Sequence, residues 1–225
     1  MYSPIRTLSM LLVGLFVATI ATEPQARNNP AVGQQTFDYE ILREGKPVGS
    51  HRVTVQRGDG RTRVLSNSNI EVGLLGLTFY RFQYESEEEW DDRGLRRLLV
   101  SVNDDGEQME LSGKRDGGRF VWRIGDSKPM VQQMPVYPTN HWNSSVLSQS
   151  RVLNTLTGNI NRVSIQKERP ARGERPQVQR FRYTGDLNLD AWYDDSGRWL
   201  GMRFQGRDDS TIEYRCRDCT AWWTL

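Results

Sequence analysis

Polar and apolar residues alternate along most of this chain with a period of two. Phe37, Tyr39 and Ile41 alternate with Asp38 and Glu40, and Val53 and Val55 with Arg52, Thr54 and Gln56. The clearest case is residues 78–90, where Tyr80, Phe82, Tyr84 and Trp90 share one parity and Arg81, Gln83, Glu85, Glu87 and Glu89 hold the other. Successive side chains of a strand point to opposite faces, so the pattern predicts strands with one dry face and one wet face. Asp92-Arg-Gly94, Asp104-Asp-Gly106 and Asp116-Gly-Gly118 punctuate the runs. Asp-Gly and Gly-Gly steps supply the positive φ that tight hairpins demand. Further runs lie at 63–72, 95–102, 107–113, 119–124, 178–193, 198–205 and 210–216. The expected fold is all-β (minor α): a single curled antiparallel sheet or open β-barrel of about ten strands. One short helix is expected at 143–154, carried by Val146, Leu147 and Leu153.

The N-terminal segment breaks this pattern. Arg6 precedes an uncharged apolar run at 10–21, followed by Glu23. That run is about 12 residues, whereas a helix needs about 20 to cross a bilayer, so residues 1–26 read as a signal peptide cleaved near 21 or 26. Residues 27–35 are polar and turn-forming and are expected to be a flexible lead-in, with a single antiparallel β domain at 36–225. The expected location is the periplasm or the secreted fraction, with no stable membrane span after processing. Export places Cys216 and Cys219 in an oxidising compartment, where a local disulfide is expected. A redox Cys-x-x-Cys normally opens a helix in a βαβ unit, a context missing here. No metal site and no cofactor are expected, since the two histidines, His51 and His141, show no ligand spacing with the thiols.

Composition adds two points. Thirty Lys and Arg against 28 Asp and Glu leave a net charge of +2, too balanced for a nucleic-acid binder, so no nucleic-acid partner is expected. Aromatic residues reach 10% while aliphatic ones are scarce, so rings must supply much of any buried area.

Among candidate catalytic groups, His141 stands out. It lies in a Pro-flanked loop, after Pro135 and Pro138 and beside Trp142, where it could act as a general base or simply pack. No Gly-x-Ser-x-Gly elbow accompanies it. His51, beside Val53, reads as a structural or surface residue. The acidic residues Glu85, Glu87, Glu88, Glu89, Asp190, Asp194 and Asp195 sit mostly on a wet parity or at a hairpin and read as solvated charge. The basic stretch at 162–182 is diluted by Glu168 and Glu174 and reads as an exposed loop. The apolar segment at 73–76 reads as a rim or buried corner. Tyr80, Phe82, Tyr84, Trp122, His141, Trp142, Trp192 and Trp199 are the candidate ligand-binding residues, because curled sheets with aromatic interiors hold apolar ligands. The same rings would serve a closed core equally well.

Three motifs resemble a family of exported bacterial β-proteins of unknown function. They are Tyr39-Glu-Ile-Leu-Arg-Glu-Gly45-Lys-Pro-Val-Gly49, Pro138-Thr-Asn-His-Trp142-Asn143 and Trp192-Tyr-Asp-Asp-Ser-Gly197-Arg-Trp199. More distantly, the architecture is similar to the curled half-barrels of periplasmic lipoprotein carriers. The likeness transfers no catalytic residues. The likeness is one of fold and does not fix function; the aromatic curled sheet carries the expectation of a binding or carrier-like protein for an apolar or amphipathic ligand, with a lipid or other apolar small molecule as partner. An envelope assembly or interaction protein with an envelope protein partner is the second reading, and a hydrolase using His141 the third.

Overall fold

A computed structural model describes residues 33–74, 77–169, 177–217 and 219. The signal-peptide segment, residues 75 and 76 of the 73–76 stretch and most of the charged loop at 167–176 lie outside the described residues. Among the described residues, fourteen strands form one antiparallel sheet. They are β1 (Gly33–Arg43), β2 (Lys46–Gly58), β3 (Arg61–Leu74), β4 (Leu77–Asp91), β5 (Gly94–Asp104), β6 (Glu107–Asp116), β7 (Arg119–Ile124) and β8 (Met130–Gln133), then β9 (Arg151–Leu153), β10 (Ile160–Lys167), β11 (Val178–Gly185), β12 (Leu189–Asp194), β13 (Trp199–Gln205) and β14 (Thr211–Cys216).

The strand order is β8-β7-β6-β5-β4-β3-β2-β1-β14-β13-β12-β11-β10-β9. The first and last strands therefore pair at the centre, with Tyr39 opposite Cys216 and Ile41 opposite Tyr214. Two wings run outward from this seam to the edges β8 and β9. The chain between those edges, residues 134–150, closes the gap as a strap. Its residue 138 makes an isolated bridge to Leu153 of β9, and the Thr139 and Leu153 amides donate to the Leu153 and Tyr137 carbonyls at 2.9 and 2.8 Å.

The hairpins follow from turn chemistry. Asp59-Gly60 and Asp105-Gly106 have positive φ at both central positions, matching the right-handed twist of the flanking strands. Strand number departs from the expected ten or so. The run at 178–193 is two strands, β11 and β12, because Asp186, Leu187 and Asn188 turn the chain between them. Strands β8, β9 and β10 carry too little alternation to stand out, the first two because edge strands of four and three residues give the pattern no length. Strand β1 begins at Gly33, ahead of residue 36, because Gln34 and Gln35 extend the pairing with β2 while their side chains stay exposed. The helix expected at 143–154 is a 3-10 turn at Ser144–Ser148, followed by β9. Asn143 caps it by accepting from the Ser145 amide, and the β-branched and polar residues around Val146 do not sustain further turns.

Two apolar clusters fill the concave side. One gathers Tyr39, Ile41, Val53, Tyr183, Tyr193, Trp199 and Leu200, and the other Leu95, Leu98, Leu111, Phe120 and Trp122. Trp142 of the strap packs against both. The wet face carries ion-pair ladders such as Arg63 to Glu87 at 2.8 Å and Arg81 to Glu71 at 3.0 Å. Exposed pairs of this kind contribute about 0–1 kcal/mol each and mainly keep the outer surface solvated. The disulfide joins Cys216 and Cys219 with Cα atoms 5.4 Å apart, just beyond the seam.

Candidate functional site

Where the strap crosses the sheet, a cavity of about 510 Å³ remains between the wings. Its inner wall comes from β2, β3, β4, β13 and β14, through His51, Ser66, Ser68, Tyr84, Trp199 and Tyr214, all of them buried. Leu156, Asp186, Asn188 and Gln205 are exposed and mark its mouth.

Parity builds the wall. His51 shares its face with Val53 and Val55, and Ser66 and Ser68 share theirs with Val64. The Nδ1 atom of His51 lies 2.7 Å from Ser68 Oγ, and the His51 ring centroid is 5.6 Å from that of Tyr214. Trp199 stands between the two imidazoles, its ring centroid 5.7 Å from His51 and 5.6 Å from His141. Tyr39 stacks on Trp199 at 4.3 Å and donates its hydroxyl to the Trp199 carbonyl at 3.0 Å. Tyr193 donates to the His141 carbonyl at 3.0 Å. At the next turn, Gly197 sits at a φ of 77°, a left-handed conformation that favours glycine, with Ser144 of the strap close beside it. The three sequence motifs, distant along the chain, therefore meet at one place.

The strap is pinned from the other side by Glu88, which is fully buried on the dry parity of β4. Its carboxyl accepts from Trp90 Nε1 at 2.6 Å, Asn140 Nδ2 at 2.5 Å and Trp142 Nε1 at 3.1 and 3.2 Å. Asn140 in turn accepts from the Tyr84 hydroxyl at 2.8 Å. Burial pushes the Glu88 carboxyl up to about 7, while the three N–H donors pull it the other way. Burial also lowers His51, to about 3, with His141 nearby adding to the effect, and it lowers His141 to about 4. Both imidazoles are therefore neutral at ordinary pH, and a ring so reluctant to take a proton is a poor general base. Among the described residues no carboxylate hydrogen-bonds either imidazole, and no group of three or more His, Cys, Asp or Glu could hold a metal ion.

Of the candidate ligand-binding residues, Phe82, Tyr84, His141, Trp142 and Trp199 line the cavity. Tyr80 lies further along β4 and donates to Asp104 at 2.7 Å. Trp122 is buried in the second cluster and donates to the Gly158 carbonyl at 2.8 Å. Trp192 packs in the first cluster, with the Arg203 guanidinium 5.6 Å from its ring centroid. Sequence reasoning passed over His51, Ser66, Ser68 and Tyr214 as wall residues. It also grouped Glu88 with the solvated acids. The signal for Glu88 was its parity, which matches Tyr84 and Trp90.

The fold and its interior define a β-barrel-like class: one curled antiparallel sheet, closed by a strap and keeping a cavity. Residues 39–217 match the family described as "Domain of unknown function (DUF6134)", and the chain belongs to it. That span runs from the central strand β1 to the end of β14, so it encloses both wings. Among solved structures, the chain is similar to a beta-barrel-like protein of Domain of Unknown Function DUF1849 from Brucella abortus. The TM-score is 0.54 at 10% sequence identity, covering 85% of this chain and 98% of that one. This likeness is one of fold. No curated protein matches the sequence.

Proposed function

We propose that this protein is an exported, periplasmic binding or carrier-like protein that shelters an apolar or amphipathic small molecule, such as a lipid, between its two wings. The cavity carries this reading. Its volume of about 510 Å³ falls within the roughly 300–1,000 Å³ of small-molecule sites, and its wall is largely apolar with a few convergent polar groups. A densely packed sheet has no need of such a space, and Glu88 holds Asn140 and Trp142 of the strap in place beside it. The mouth, with Leu156, Leu187, Met202 and Phe204 around it, offers apolar surface to an entering chain.

Native mass spectrometry of the protein purified from periplasm, coupled to lipid extraction, tests this reading. The expected result is a co-purifying small molecule that is absent from Met202→Trp, a variant that fills the cavity while keeping the far-UV circular dichroism of the parent. A parent protein that carries no such molecule and takes none up from a total lipid extract would overturn the proposal.

A further inference from the structure

The cavity's head-group preference is set by its charges. This inference rests on the binding function proposed above. Among the described lining residues there is no Lys or Arg, and the one carboxylate, Asp186, sits exposed at the mouth. Asp186 Oδ2 already accepts from the Arg162 amide at 2.8 Å. Both imidazoles in the wall are neutral, as described above. The buried carboxyl of Glu88 is committed to three donors and is not part of the lining. The polar groups that remain are hydroxyls, side-chain amides and neutral imidazole. A charged head group brought inside would lose its water without gaining a counter-ion, which is among the costlier things a protein interior can do.

Two wall atoms point to what the head should carry instead. Ser66 Oγ and His141 Nδ1 are buried with no hydrogen-bond partner among the described residues. A neutral hydroxyl both donates and accepts, so it can satisfy the serine and can meet Nδ1 in either tautomer of the imidazole. We propose that the ligand is an uncharged amphiphile, with a hydroxyl or comparable neutral polar end against Ser66, Ser68, His51 and His141 and its hydrocarbon along Phe82, Met202 and Phe204. The same wall disfavours fatty-acid anions, phospholipids and amines whose charged head enters the cavity.

Equilibrium binding of 1-decanol, decanoate and decylamine at pH 7.5, with chain length held constant, separates the head groups. Decanol is expected to bind at least tenfold more tightly than either charged analogue, and Met202→Trp is expected to abolish its binding. A margin under tenfold, or decanol binding that survives Met202→Trp, overturns the head-group inference and leaves the binding function standing. No binding of any of the three overturns the binding function itself.

Discussion

Glu88 is held entirely by donors, and that decides how it responds to change. A glutamine of the same shape would turn one NH2 toward an indole N–H or the Asn140 amide, leaving a buried donor unmatched. Glu88→Gln is therefore expected to destabilise by about 1–3 kcal/mol, measured by urea unfolding, even though it removes a buried charge. The pH profile follows from three buried groups. The two histidines have folded-state values below the ordinary 6.5, so their stability is present above pH 6.5 and is lost as pH falls toward about 4 and 3. Glu88 is raised from 4.5, so its contribution is present below that value and is lost as pH rises through about 7. Between pH 4.5 and 6.5 two gains outweigh one loss, and above 6.5 only the loss remains. Stability should peak near pH 6.5, falling by on the order of 1 kcal/mol at pH 5.5. Glu88→Gln should flatten the limb above the peak. Equal or greater stability at pH 5.5 would show that the histidines titrate freely. Residue roles were only partly legible in the sequence. The parity of Glu88 was visible among four neighbouring acids, but its partners Asn140 and Trp142 come from a distant loop that no local pattern ties to β4.

At the scale of elements, hairpins were legible and edges were not. Asp59-Gly60 and Asp105-Gly106 announce their turns because positive φ needs such residues, whereas β8 and β9 are defined by the neighbours they pair with. The strap has no periodicity because its residues serve different faces: Trp142 bridges both clusters, and Val146 joins a third small one with Val152 and Val163. In β6, Gly113 sits under the Phe120 ring, and a Cβ there would lie 2.5 Å from Phe120 Cε1 and 2.9 Å from Trp122 Cβ. Phe120 is fully buried and has nowhere to move. Gly113→Ala is expected to cost about 1–3 kcal/mol, seen as a lowered Tm, with little change in the cavity, which Gly113 does not line. A neutral outcome would mean that the β6–β7 hairpin yields as a unit. The Cys216–Cys219 disulfide closes a short loop, so removing it with Cys216→Ser and Cys219→Ser together should cost about 2 kcal/mol by chain entropy. Urea midpoints of the parent with and without reductant provide the check, and no shift would mean that the β1–β14 pairing holds without the disulfide.

For the whole molecule, the question left by composition was whether the rings pack against each other or leave room for a guest. Both happen, in different places. Phe120 and Trp122 stack in a filled cluster, while Trp199, Tyr84 and Phe82 face space. Alternation marks a ring as inward-facing but cannot tell what stands opposite, since that depends on how far the strap fills the interior. The overall architecture was nonetheless readable, because each hairpin is local and a meander is a sum of hairpins.

The central seam has a consequence for how the chain acquires its shape. Strands β1 to β8 can zip up one after another as they become available, yet the free side of β1 waits for β14, made after all the other described strands. Until then the middle of the finished sheet is an uncovered edge with open backbone donors and acceptors, a template for pairing with any other extended chain. Contacts of such long range also form slowly. Folding of this protein should therefore be limited by arrival of its C-terminal strand, and a chain cut short before β14 should accumulate as aggregates seeded at β1.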